Sequence, residues 1–118
     1  MPESNPAVGS TREVRRWERY NVQIPVNVAT LLNGQRCRFR GEASDISRGG
    51  LGLFVARNLD LGTTLRLEFL LPYNVNELSI RGVIRNRRGF SYGIEFVHPT
   101  PYQQQTIERT CQVLKLLR

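Results

Sequence analysis

From residue 20 onward the chain alternates apolar and polar positions through six short runs, and then the period changes. In residues 20–29, Val22, Ile24, Val26 and Val28 share one face against Asn21, Gln23, Pro25 and Asn27. That alternation is the mark of a half-buried strand. Pro25 carries no ladder donor, so an edge or a bulge is expected there. Asn33-Gly34 predicts a tight hairpin turn. Residues 36–44 then set Cys37, Phe39, Gly41 and Ala43 towards a core and Arg36, Arg38, Arg40 and Glu42 towards water. Further strands are expected over 51–55, 64–70, 78–86 and 90–97. The last of these has Phe90, Tyr92, Ile94 and Phe96 in register.

At the C-terminal end the period becomes helical. Thr100-Pro101-Tyr102-Gln103 fits a capping box with Pro at the first helical position. Ile107, Cys111, Leu114 and either Thr110 or Leu117 recur at three- and four-residue steps, as on one face of a helix. Six short strands joined by hairpin-like turns and followed by a helix predict an all-β fold. The expected form is a small six-stranded antiparallel β-barrel whose C-terminal α-helix plugs or covers one opening. The first eleven residues are rich in Pro, Ser, Gly and Asn without apolar period and read as a disordered lead-in. The folded domain is expected over 12–118.

Composition narrows the function classes. At 118 residues one domain is expected, with core enough to fold without disulfides or metals. The net charge of +7 favours an anionic partner. Lys115 is the only lysine. Every other basic side chain is an arginine, whose planar fork pairs bidentately with phosphate and stacks on a base. Codon usage in a GC-rich genome would produce the same bias at surface sites. Cys37 and Cys111 stand far apart, as two reduced thiols would. His98 is the only histidine and lacks companions at ligand spacing, so no metal site is expected. The chain shows no signal-peptide core and no apolar run long enough for a membrane span, and a cytoplasmic protein is expected.

Two stretches carry candidate chemistry. Arg12, Arg15, Arg16 and Arg19 crowd an arm around Trp17, just before the first strand. Trp17 is expected to anchor the arm on the core rather than to stack a ligand. Asp45-Ile46-Ser47-Arg48-Gly49-Gly50 is expected to be a polar loop between the second and third strands. Asp45 can accept two hydrogen bonds side by side, and Ser47 both donates and accepts. Gly49 and Gly50 permit positive φ and close approach of a ligand. Asp, Ser and Gly are also what ordinary turns contain. R-x-x-x-R, as at Arg15 and Arg19, also occurs at Arg12 and Arg16, at Arg36 and Arg40, and at Arg81 and Arg85. The informative feature is therefore the order: arginine arm, two strands, Asp-Ser-Gly loop.

In that order Arg15-Arg16-Trp17-Glu18-Arg19 and Asp45-Ile46-Ser47-Arg48-Gly49-Gly50 resemble the signature of the PilZ domain family. Tyr92-Gly93-Ile94-Glu95-Phe96 is similar to that family's last-strand motif. The resemblance implies a barrel that binds the bacterial second messenger cyclic di-GMP, as a receptor and not an enzyme, acting on a downstream protein effector. By position it implies that Arg15 and Arg19 clamp phosphate and guanine, with Arg16 as a further contact. Asp45 and Ser47 would read the other face, Gly49 would belong to the same loop, and Gly50 would leave room for the ring. Val14, just before Arg15, would favour one bound messenger over a stacked pair; if Arg12 and Arg16 are the pair, that argument does not hold. No other cofactor is implied.

Two competing readings remain. A basic strand face and net charge would suit a small barrel that binds single-stranded nucleic acid. Against it, the aromatic residues mostly alternate onto the core side, and the aromatic stacking set of the common RNA modules is missing. A PilZ-like protein-interaction adaptor that binds no nucleotide would be expected to lack Arg15, Arg19, Asp45 and Ser47, all present here. An enzyme is not expected, because neither a nucleophile–base–acid set nor a phosphate loop is present.

Overall fold

The structure, a computed structural model, describes residues 17–118. Six strands, β1 (Tyr20–Leu32), β2 (Gln35–Ile46), β3 (Gly50–Phe54), β4 (Thr64–Phe69), β5 (Leu78–Arg88) and β6 (Ser91–Phe96), precede one helix, α1 (Pro101–Leu117). They close into an antiparallel barrel in the order β1-β2-β3-β6-β5-β4. The expected fold class is therefore correct. Closure follows from the alternation: each strand puts one apolar row inward, and only a closed sheet buries six such rows without leaving an edge.

The hairpins obey local backbone chemistry. Leu32 pairs with Gln35, so the loop is Asn33-Gly34, with φ of 51° and 79°. Two positive φ values make the mirror-image turn whose twist matches the strands. Pro25 sits opposite Glu42, outside the short stretch Asn27–Ala29 that β1 shares with β4, and next to a bulge between Asn21 and Ile24.

Strand boundaries differ from expectation by one to three residues, and two of the differences reposition side chains. β2 does not stop before Asp45. A bulge between Ala43 and Asp45 lets the ladder continue, with Asp45 opposite both Asn21 and Gly52. At the other hairpin, Arg88 pairs with Ser91, which leaves Gly89-Phe90 as the turn. Gly89 takes the positive φ of 61°, and Phe90 turns outward, 41% exposed, instead of joining the inward row of β6.

The core holds Val26, Ile46, Leu65, Leu67 and Ile94, each fully buried, and the Phe69 and Phe96 rings stack with centroids 6.5 Å apart. Burying one such aliphatic side chain contributes about 1.5–3 kcal/mol. Tyr92 brings a hydroxyl into this core. Its hydroxyl accepts from the Leu59 N–H at 3.0 Å and donates to the Arg57 carbonyl, bracing the loop between β3 and β4 from inside.

Helix α1 starts as its sequence requires. Thr100 Oγ1 accepts from the Gln103 N–H at 3.1 Å, and Gln103 Oε1 accepts from the Thr100 N–H at 3.0 Å. Its buried face is Thr106, Ile107, Thr110 and Cys111. Of the two alternatives for that face Thr110 is the occupant, because Asn74 of the β4–β5 loop reaches it at 2.9 Å, whereas Leu117 is exposed. Gln103 Nε2 donates to the Ser79 carbonyl, and at the far end Lys115 and Arg118 pair with Glu18. These ties stretch the helix from the start of β5 to the residues before β1.

Candidate functional site

The candidate residues gather where β1 begins, β2 ends and β3 begins. Tyr20 is the register partner of Ile46, so topology brings Arg19, exposed and one residue earlier, to the start of the Ser47 turn. Arg12, Arg15 and Arg16, the other arginines of the arm, lie outside the described residues.

The turn itself is only Ser47, Arg48 and Gly49, since Asp45 and Ile46 belong to β2 and Gly50 to β3. Ser47 is buried, and its hydroxyl accepts from the Gly49 N–H at 3.2 Å. The Ser47 N–H donates to the Gly50 carbonyl at 2.9 Å, and the Phe96 N–H to the Gly49 carbonyl at 2.9 Å. Ser47 and Gly49 thus hold the turn's shape and tie it to β6. Gly50 has a structural reason to be glycine. Its backbone avoids the left-handed region, and a Cβ there would sit 1.9 Å from the Ile94 carbonyl oxygen, so the missing side chain makes room for β6.

The glycine that serves Asp45 is Gly52. A Cβ on Gly52 would stand 2.8 Å from Asp45 Oδ2, so the carboxylate lies folded over that residue on the outside of the barrel. Gly52 pairs with Gly93, and Gly93 with Asn86, across β3, β6 and β5. A Cβ on Gly93 would come within 2.4 Å of Asn86 Oδ1. The row Asp45–Gly52–Gly93–Asn86 is therefore a glycine floor overlain by a carboxylate at one end and a carboxamide at the other, with Gly93 buried. No described side chain pairs with the Asp45 carboxylate, which is left to accept from outside. Sequence reasoning missed Gly52 and Asn86. Gly93 stood in the last-strand motif without a role, and only the cross-strand register shows the floor.

Arg48 was also missed. Its guanidinium lies 5.5 Å from the centroid of the half-buried Trp17 ring, a cation–π geometry. Trp17 thus packs against the turn through Arg48. The pair forms a wall shared by two clefts. One, of about 550 Å3, reaches Tyr20, Cys111 and Lys115 on the helix side. The other, of about 250 Å3, reaches Gly49, Glu95 and Gln104. Behind the wall the Arg118 and Lys115 side chains and the Tyr20 hydroxyl hold the Glu18 carboxyl below its ordinary range. Burial, opposed by the Arg48 charge, pushes the Cys111 thiol up to about 11.

The site offers one acceptor pair and guanidinium donors, which is the equipment for holding a polar, anionic molecule. His98 is exposed on the β6–α1 connection, and among the described residues no group of His, Cys, Asp and Glu could hold a metal ion. No described helix is long and apolar enough to cross a membrane.

The model of the PilZ domain matches residues 13–112. The chain belongs to the PilZ domain family. PilZ domains are non-catalytic. Solved structures share this PilZ fold at low identity. The Bacillus subtilis inhibitor of motility MotI/DgrA has a TM-score of 0.71 at 19% identity, over 88% of this chain and 52% of its own. This chain thus spans about half the length of that protein. K. pneumonia MrkH in complex with c-di-GMP gives a TM-score of 0.69 at 20% identity, covering 86% of this chain and 52% of its own. The PilZ domain of Escherichia coli YcgR with c-di-GMP gives 0.66 at 15% identity, covering 86% and 91%. No curated protein matches the sequence.

Proposed function

We propose that this PilZ domain is a cyclic di-GMP receptor that couples the messenger to a downstream protein effector through its N-terminal arginine arm. The observation that carries the reading is the Asp45 carboxylate, held over the Gly52–Gly93 floor with no described partner. The Watson–Crick edge of guanine presents adjacent N–H donors, which suit two oxygens of one carboxylate. Its other edge presents the O6 and N7 acceptors that suit an arginine fork. In this reading Arg15, Arg16 and Arg19 take the phosphates and a guanine edge, and Arg48 adds a donor from the turn. Asn86 faces the base from the far side of the floor. Ser47, Gly49 and Gly50 act by shaping the turn that presents Asp45.

Calorimetric titration with cyclic di-GMP is the direct test, and one messenger per chain is expected. Asp45→Asn keeps the size and removes one of the two acceptor oxygens. It should weaken binding by about tenfold or more, the cost of a charge-assisted hydrogen bond, with thermal stability little changed. Wild-type affinity in Asp45→Asn would reduce Asp45 to a strand residue and overturn the assignment. Arg19→Ala should lose a similar factor.

A further inference from the structure

Five arginines stand on the outside of β2, β4 and β5, around β1. Register sets Arg38, Ala29, Arg66 and Arg81 side by side in one row across β2, β1, β4 and β5. Arg36 flanks the row opposite Leu31, and Arg40 flanks it opposite Asn27. All five guanidinium side chains are exposed. The ion pairs among described residues belong to Arg85, Lys115 and Arg118, so none of these five has a carboxylate partner. Arg66 is held only by Ser79 Oγ, at 3.2 Å. Arg66 and Arg81 face each other directly, and like charges opposed across a ladder destabilise a sheet. Between them and the β1–β2 hairpin runs a groove of about 730 Å3, lined by Leu31, Arg36, Cys37, Arg38, Arg66 and Arg81. Leu31 is 64% exposed in it. The row lies roughly 23 Å along β2 from Asp45, at about 3.3 Å per strand residue.

We propose that this face is a docking surface for a protein segment rich in Asp and Glu that also carries an apolar side chain for Leu31. Carboxylates match guanidinium forks bidentately and would relieve the opposed charges of Arg66 and Arg81. Arginine is enriched at protein interfaces, and exposed Leu31 gives the face an apolar contact. Nucleic acid fits less well. No aromatic ring lines the groove, so bases have no stacking platform. Glu68, one register row away opposite Asn27, also interrupts the positive track that a phosphate chain would follow. The inference does not depend on the identity of the nucleotide at the Asp45 site.

The test is selection of a random-sequence peptide library on the full chain, counter-selected against the double variant Arg66→Glu/Arg81→Glu. Enriched peptides should carry Asp or Glu with an apolar residue, and should shift the amide resonances of Leu31, Arg38, Arg66 and Arg81. The double variant should weaken their binding by about tenfold or more. Its unfolding temperature should not fall, and its titration at the Asp45 site should match wild type. If charge reversal perturbs the fold, Arg66→Gln/Arg81→Gln gives the same comparison without introducing carboxylates. Absence of acidic enrichment, resonance shifts elsewhere, or a mixed-sequence DNA duplex binding these residues more tightly than the selected peptides would overturn the proposal.

Discussion

Gly50 and Gly52 stand on the same strand and on the same side of it, yet they serve different neighbours. Gly50 lacks a side chain because the Ile94 carbonyl occupies the space, 1.9 Å from where a Cβ would lie. Gly50→Ala must push backbone against backbone, and should cost about 3 kcal/mol or more, read as a lower denaturant midpoint. Gly52→Ala meets only the movable end of Asp45. It should leave the midpoint nearly unchanged while weakening cyclic di-GMP binding by about tenfold, one displaced charge-assisted contact. If both variants lose stability equally, Asp45 is not free to move and the floor is structural. Tyr92 shows a polar group used for packing. Tyr92→Phe strands the buried Leu59 N–H and should cost about 1–3 kcal/mol, measurable by urea unfolding. The pattern placed Tyr92 on the core side, but its hydroxyl partners come from a loop more than thirty residues away in sequence.

Helix α1 is the element whose start was most legible, because capping depends on residues three apart. Thr100→Ala removes the acceptor for the Gln103 N–H and should lower stability by about 1 kcal/mol. What the helix covers was not legible, and its Cys111 reports it. Burial holds the folded thiol's pKa at about 11, above the ordinary thiol value of 9.0. Below that ordinary value both folded and unfolded chains keep the proton, and the contribution to stability is fully present. Between 9 and 11 the unfolded chain releases its proton while the folded one retains it, so stability falls as pH rises through this window. Thermal unfolding followed from pH 8 to 11 should show this decline, and Cys111→Ala should flatten it. At pH 8 an alkylating reagent should label the half-buried Cys37 well before Cys111.

At the scale of the molecule the barrel separates two polar regions. The Asp45 floor crosses β2, β3, β6 and β5, whereas the arginine row crosses β2, β1, β4 and β5. In the two proposals the nucleotide is held at one region and a protein at the other. In the proposed function, a bound dianion would offset the like charges that the sequence crowds at Arg12, Arg15, Arg16 and Arg19. Amide hydrogen exchange over residues 13–20 should therefore slow when cyclic di-GMP is added. Equal protection with and without the messenger would mean that the arm is pre-formed, and that the output comes from the bound ligand's own surface.

Strand number, the Asn33-Gly34 hairpin and the capped helix were set by the sequence itself. Each depends on neighbours within a few residues: a period of two, a pair of positive φ angles, a side chain reaching an N–H three positions on. The arginine arm and the Asp-Ser-Gly stretch were visible as motifs on the same grounds. Tertiary structure alone decided which residues meet. A bulge of one residue between Ala43 and Asp45 carried Asp45 into the ladder and over Gly52, and the pairing of β6 with both β3 and β5 set Gly93 beside it. Closure between β1 and β4 placed Arg66 level with Arg38 and opposite Arg81. Such meetings depend on long-range register, where a shift of one position moves every side chain to the other face. No local pattern within either strand specifies the offset between them.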